Sequence, residues 1–298
     1  MAGTEDFDPQ YLDIDDWPTE AAVAAMLDGQ RQAIDALDGR VSAIAVAAEA
    51  AAARLGRGGR LVYSGAGTSG RVAVQDGVEL GPTFGWPQER MAFLLAGGMV
   101  ALALSAEGAE DDAADGRAQV AAASVGPDDV VIGVAASGRT PFTIAVVEAA
   151  RAAGALTIVV ANNADTPLLD GADHPILADT GSEVLAGSTR MAAGTAQKIV
   201  LNLLSTAIML RLGRVHRGLM VDMIVSNDKL ARRARGMVTT LAVCDDATAA
   251  AALDAAGRDI KAAVLIARGL NLVSAKRLLA GNGNILRHAI AALECGAT

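Results

Sequence analysis

The chain has 298 residues, 52% of them hydrophobic and only 3% aromatic, and a formal net charge of −9. That length holds one large domain or two moderate ones around an ample core, built here from Ala, Val, Leu and Ile. The acidic balance argues against nucleic acid, which calls for a basic footprint, though a local cradle still suits a small anion. Cys244 and Cys295 are too few for a disulfide scaffold and point to a reducing, cytoplasmic setting.

Residues 1–18 are acidic, carry Pro9 and Pro18, and lack the basic-then-apolar order of a signal peptide, so they read as an extended arm. From Thr19, apolar residues at Val23, Met26, Ile34, Leu37, Val41 and Ile44 keep helical intervals, giving one amphipathic helix or two with a break near Gly39. Residues 61–65 then form a buried strand that empties into Gly65-Ala-Gly-Thr-Ser-Gly-Arg71. Small residues let backbone N–H groups approach an anion, the following helix start adds partial positive charge, and Thr68 and Ser69 add hydroxyls. The leading reading is a cradle for a phosphorylated small molecule.

The same letters fit the dinucleotide fingerprint, which expects an acidic residue closing the second strand. The next strand, residues 91–95, ends instead in Ala96-Gly97-Gly98. A dinucleotide site and a purely structural turn remain the alternatives at this point.

The helix after the glycine turn starts near Gly70 and is expected to stop at Gly81-Pro82, just beyond Glu79. Further on come a short helix at 100–104, the acidic run 107–112 opening a helix to about 123, and a third strand at 129–135. That strand ends in Ala136-Ser-Gly-Arg-Thr-Pro141, and a helix runs to 153. Strands follow at 156–160 and 175–177, then a long helix at 189–212, apolar on most sides but interrupted by Asn202, Ser205 and Thr206. It reads as a buried helix, with a subunit interface as one place of burial, and not as a membrane span. Strands alternating with helices at short spacing predict a parallel sheet covered on both faces. Residues 220–230 and the run Arg232-Arg233-Ala-Arg235 look helical, the arginines forming a solvated face or, as the alternative, a ligand or subunit contact, and 245–293 reads as short Ala- and Leu-rich helices.

Two hydroxyl-rich loops, one after the first strand and one after the third, would meet beyond the carboxyl ends of the sheet. His174, His216 and His288 are too scattered for a metal cluster, and no catalytic triad stands out. Carboxylates are the acid–base candidates. Glu79 is placed near a helix C-terminus, where the backbone dipole disfavours its charge, and Glu110 lies in the acidic run, where dipole compensation is the competing explanation.

Four blocks occur together in order: the glycine turn, Glu107-Gly-Ala-Glu-Asp-Asp112, residues 136–141, and Gly187-Ser-Thr-Arg-Met-Ala-Ala-Gly-Thr-Ala-Gln-Lys198. Leu219-Met-Val-Asp222 and Asn227 follow. This set resembles the N-acetylmuramic acid 6-phosphate etherases, sugar isomerase (SIS) domain proteins related to the glucokinase regulatory protein. The resemblance runs from about residue 12 onward and is most specific at 187–198. It implies a three-layer α/β/α sandwich on a five-stranded parallel sheet, flavodoxin-like, with a small C-terminal helical subdomain. The division expected is 1–55 for arm and first helices, 56–240 for the SIS domain and 241–298 for the helical subdomain.

The reaction implied is cleavage of the D-lactyl ether of a phosphorylated amino sugar by elimination and then hydration, with no cofactor and no metal. Carried over by position, Glu79 matches the proton donor and Glu110 the second acid–base residue. Gly67, Thr68, Ser69, Ser137, Gly138 and Thr140 would hold phosphate or sugar hydroxyls, with Ser188 and Thr189 completing the pocket. A homodimer without nucleic-acid or membrane partners is implied too. The sequence departs from the family in two places. Asp76-Gly-Val-Glu-Leu-Gly-Pro82 stands where the family reads Asp-Ala-Ser-Glu-Cys-Pro-Pro, and Phe7-Asp8-Pro9 where it reads Arg-Asn-Pro. A non-catalytic sugar-phosphate sensor and an aldose–ketose isomerase are the alternative functions.

Overall fold

In the computed structural model, which describes residues 3–104 and 106–296, the first strand is β1, Leu61–Gly65. It is flanked by β2, Met91–Leu95, and β3, Val130–Val134, with β4, Leu156–Ala161, and β5, His174–Leu177, beyond. All pairings are parallel and the order is β2-β1-β3-β4-β5. β1 and β3 are buried throughout, which is why both read as unbroken runs without polar alternation. The chain leaves β1 towards β2 but finds β3 on the other side of β1. Connections therefore diverge between β1 and β3, and the crevice for a ligand opens at their carboxyl ends.

Helices cover both faces. Val62 and Val131 pack with α4, Ala113–Ala122, and α5, Pro141–Ala152, through Val120, Phe142, Val146 and Ala150. The opposite face carries α2, Val41–Leu55, which lies against β3, β4 and β5. The amphipathic stretch before it is two helices: α1, Thr19–Asp35, ends ahead of Gly39, whose φ of +78° breaks the run. The expected three-layer α/β/α sandwich with a five-stranded parallel sheet is what folds.

After β1 comes α3, Gly67–Phe84, longer than the sequence pattern predicts. Pro82 is accommodated in its last turns, and the stop comes at Gly85, with φ of +59°. Gly85 N–H donates to Gly81 O at 2.8 Å and Trp86 N–H to Leu80 O at 3.2 Å, so the terminal carbonyls are satisfied without a break at Gly81. Asp76, midway along α3 and buried, takes hydrogen bonds from Tyr63 Oη at 2.8 Å, Asn202 Nδ2 at 2.7 Å and Ser205 Oγ at 3.1 Å. Those polar residues, which interrupt the long apolar helix in the sequence, thus satisfy one carboxylate and tie three elements together. Burial, and then the Asp76 charge, hold the Tyr63 phenol well above its ordinary range.

That long helix is α7, Ala192–Arg211; the four-residue α6, Pro167–Asp170, precedes β5. Glu183, 1% exposed, caps the start of α7, its two oxygens accepting Ala192 N–H and Ala193 N–H at 2.9 Å each. Among the described residues α7 alone is long and apolar enough to cross a membrane, yet 56% of that stretch is buried inside the protein.

The chain divides into two compact units, residues 1–77 with 88–208, and residues 78–87 with 209–298. The second holds α8, Asp228–Ala242; α9, Asp246–Ala255; α10, Ile260–Ala267; α11, Leu272–Gly281; and α12, Leu286–Glu294. Asn227, Asp245, Asp259 and Asn271 cap four of them, each side chain accepting the N–H three residues on. The Asn227 cap sets the start of α8 at Asp228, whereas the pattern over 220–230 predicts helix throughout. Ala234, Met237, Val238 and Leu241 face the core of this unit, leaving Arg232 and Arg233 exposed. Lys261, 2% exposed, pairs with Asp222 at 2.6 Å and donates to Asn284 O at 2.7 Å. Burial lowers the Lys261 pKa and raises that of Asp222, each shift partly offset by the other's charge.

Candidate active site

The turn from β1 into α3 is held shut by glycine on glycine. A Cβ on Gly70 would stand 2.9 Å from Gly65 O, and one on Gly65 would stand 2.9 Å from Gly70 N. Only with both side chains absent can the helix start this close to the strand end, leaving Gly67, Thr68 and Ser69 on the first turn, where N–H groups lack intrahelical partners. Gly67 takes φ of +53°. Thr68 is packed against α7, its Cγ2 3.3 Å from where a Cβ on Gly194 would lie.

The second loop leaves β3, the strand next to β1. Arg139 N–H donates to Ser137 Oγ at 3.1 Å, and the Arg139 guanidinium reaches Asp165 O at 3.0 Å, fixing the loop before α5 begins at Pro141. Gly138 has φ of +63° and sits against Thr166, so its role is to turn the chain where a side chain would collide. A third loop precedes α7: Ser188 N–H donates to Leu185 O at 2.8 Å and Gly194 N–H to Thr189 O at 2.8 Å.

These loops enclose a cleft of about 400 Å³. Gly67, Thr68, Ser69, Ser137, Thr140, Thr189 and Glu110 all line it. Gly138 and Ser188 are not among the lining residues. Glu110 comes from a 3-10 turn, Ala109–Asp111, and also borders an adjoining cavity of about 210 Å³ that holds Arg71. The Arg71 guanidinium is oriented by Ala101 O and Leu102 O, both at 3.1 Å. Capping of the following helix falls to Asp112, whose Oδ1 accepts Asp115 N–H at 2.9 Å. Glu110 is therefore not the residue that caps this helix. Glu79 belongs to the second unit, exposed on α3, which continues beyond it to Phe84.

The cleft also contains residues that sequence reasoning left unassigned: Glu5, Asp111 and Arg139. Asp111 and Arg139 stood inside quoted motifs without a role. Glu5 gave no signal, because an acidic arm rich in turns resembles any solvated terminus. Chemically, the cleft joins a ring of hydroxyls and a helix N-terminus, suited to a phosphate, to carboxylates suited to proton transfer. Among the described residues no group of three or more His, Cys, Asp and Glu is placed to hold a metal ion.

The model of the glucokinase regulatory protein N-terminal SIS domain matches residues 43–151, and the SIS domain model matches 98–207. The chain is 48% identical over 288 residues to the N-acetylmuramic acid 6-phosphate etherase of Deinococcus radiodurans, covering 96% of this chain and 94% of that one. It is 44% identical over 291 residues to the enzyme of the same name from Streptomyces coelicolor, covering 97% and 93%. The Cutibacterium acnes etherase is 43% identical over 291 residues, covering 97% and 96%. Since the likeness extends over almost the full length of each relative, far beyond the loops of the cleft, this chain belongs to the N-acetylmuramic acid 6-phosphate etherase family.

Proposed function

We propose that the chain cleaves the D-lactyl ether of N-acetylmuramic acid 6-phosphate, giving N-acetylglucosamine 6-phosphate and D-lactate, a step in recycling cell-wall amino sugars. The observation that carries this reading is the meeting of Glu110 with Thr68, Ser69, Ser137, Thr140 and Thr189 in one cleft at the β1/β3 crevice of an etherase-family chain. The hydroxyls and the N-terminus of α3 bind the 6-phosphate, Gly67 and Gly138 permit the close backbone turns, and Ser188 steadies the third loop. With the sugar ring open, the C1 aldehyde acidifies the C2 proton. Glu110 removes it, and the electron pair left at C2 forms the C2–C3 double bond as the C3–O bond breaks. Glu79 protonates the departing lactate oxygen, and water then adds at C3 while C2 is reprotonated. The family reaction asks for no cofactor or metal. We assign the protein to the cytoplasm, as a homodimer with no nucleic-acid or membrane partner.

The test is D-lactate release from the substrate by the wild type and by Glu110→Gln and Glu79→Gln. Each substitution removes one acid–base group and should lower kcat roughly 10²- to 10⁴-fold while sugar-phosphate binding persists. Binding by the wild type without release would make the protein a sensor. Isomerised sugar with its ether intact would make it an isomerase.

A further inference from the structure

Glu5 reaches the cleft from a part of the chain that no motif marks, and the protein builds a dedicated mount for it. Thr4, fully buried, is held by three hydrogen bonds from two partners. Its N–H donates to Asn163 Oδ1 at 3.0 Å, its hydroxyl accepts Asn163 Nδ2 at 2.9 Å, and its carbonyl accepts Gly187 N–H at 3.0 Å. Asn163 is oriented in turn by Ala136 O at 2.9 Å, in the loop that presents Ser137. Gly187 has φ of +74°, and a Cβ there would stand 2.9 Å from Glu5 Oε2, so the loop before α7 is stripped of its side chain where the carboxylate lies. The arm is thus fastened at Thr4, and the next residue lines the same cleft as Thr189 and residues 67–69 of the glycine turn.

We infer that Glu5 is a specificity-determining residue that accepts a hydrogen bond from a neutral donor on the sugar, either a hydroxyl or the 2-acetamido N–H. The inference rests on the reading of this cleft as a phosphosugar site. A carboxylate repels a phosphate dianion, so Glu5 cannot serve the phosphate end. It can serve the part of the ligand that carries O–H and N–H groups, to which an ionised acceptor makes the stronger kind of hydrogen bond. Selectivity follows: the hydroxyls of the glycine turn recognise any phosphate, and Glu5 rejects those without a donor in the right place.

The experiment measures calorimetric affinity of the wild type, Glu5→Gln and Glu5→Ala for inorganic phosphate, N-acetylglucosamine 6-phosphate and glucose 6-phosphate. Glu5→Ala should weaken N-acetylglucosamine 6-phosphate about tenfold or more, Glu5→Gln less because its amide oxygen still accepts, and inorganic phosphate should bind as well as before or better. Loss confined to the acetamido sugar identifies the amide N–H as the donor, and equal loss on both sugars identifies a hydroxyl. The inference is overturned if both variants bind all three ligands as the wild type does, or if sugar phosphate and phosphate weaken together, the mark of an arm that merely props the loops. A wild type that binds no sugar phosphate would instead overturn the reading of the cleft, a different result from an insensitive Glu5.

Discussion

Replacing Gly70 by alanine tests whether the glycine turn serves binding more than folding. The added Cβ would stand 2.9 Å from Gly65 O and 3.1 Å from Gly65 C, where ordinary contact begins at 3.4 Å, so α3 must withdraw from β1 by about half an ångström. Overpacking of that kind costs about 1–3 kcal/mol. Alanine in place of glycine inside a helix returns roughly 1 kcal/mol, leaving a net stability loss of about 0–2 kcal/mol. Binding has no such compensation. Hydrogen bonds to a charged phosphate are worth about 1.5–3 kcal/mol each, and displacing two by that distance forfeits roughly half of their sum. The affinity for N-acetylglucosamine 6-phosphate should fall about 10- to 100-fold, measured by calorimetry beside a urea unfolding curve. A variant that unfolds more easily but binds within about twofold of the wild type would refute the idea that this close approach positions the phosphate donors.

Other substitutions test the scaffold. Asp129, nearly buried at the amino end of β3, accepts Arg60 N–H at 2.9 Å, Arg60 Nη2 at 2.6 Å and Gly126 N–H at 3.0 Å. Burial alone would raise its pKa, but the hydrogen bonds from Arg60 and Gly126 and the Arg60 charge together outweigh it and hold the carboxyl below its ordinary range. Its contribution is therefore present above the ordinary carboxylate range and lost as pH falls through the lowered value. Asp129→Ala should cost about 2–4 kcal/mol at pH 7, with a smaller difference from wild type below pH ~4, and leave kcat unaltered because it lies at the end of the sheet away from the cleft. Lys261→Met should destabilise the protein by about 3 kcal/mol by leaving Asp222 with only the more distant Arg214, 3.9 Å away, whereas the double change with Asp222→Leu should cost clearly less, a comparison made by urea denaturation. Asp76→Asn faces an amide donor toward Tyr63, Asn202 or Ser205 and should cost about 1–3 kcal/mol in the same assay.

Much of the sheet was readable because its strands are short apolar runs ending in glycine or hydroxyl clusters, and each of the five appears within two residues of its expected place. The crevice was readable too, since Ser64–Gly70 and Ala136–Thr140 announce their hydroxyls in sequence. What failed was local punctuation judged without its surroundings. Gly81-Pro82 reads as a stop, yet the carbonyls there find partners in Gly85 and Trp86 and the helix continues. Residues 220–227 carry helical spacing, but Asn227 spends its side chain on capping α8. Glu5 was illegible for a different reason: its significance lies in Asn163 and Gly187, more than 150 residues away, which fasten Thr4 and clear room for the carboxylate.

The most direct measurement of the proposed chemistry is turnover of N-acetylmuramic acid 6-phosphate in deuterated water, with the products read by mass spectrometry and NMR. Elimination through C2 predicts one D-lactate per N-acetylglucosamine 6-phosphate, with deuterium at C2 of the sugar, and loss of both signals in Glu110→Gln. Lactate released with C2 still bearing its original hydrogen would contradict the account.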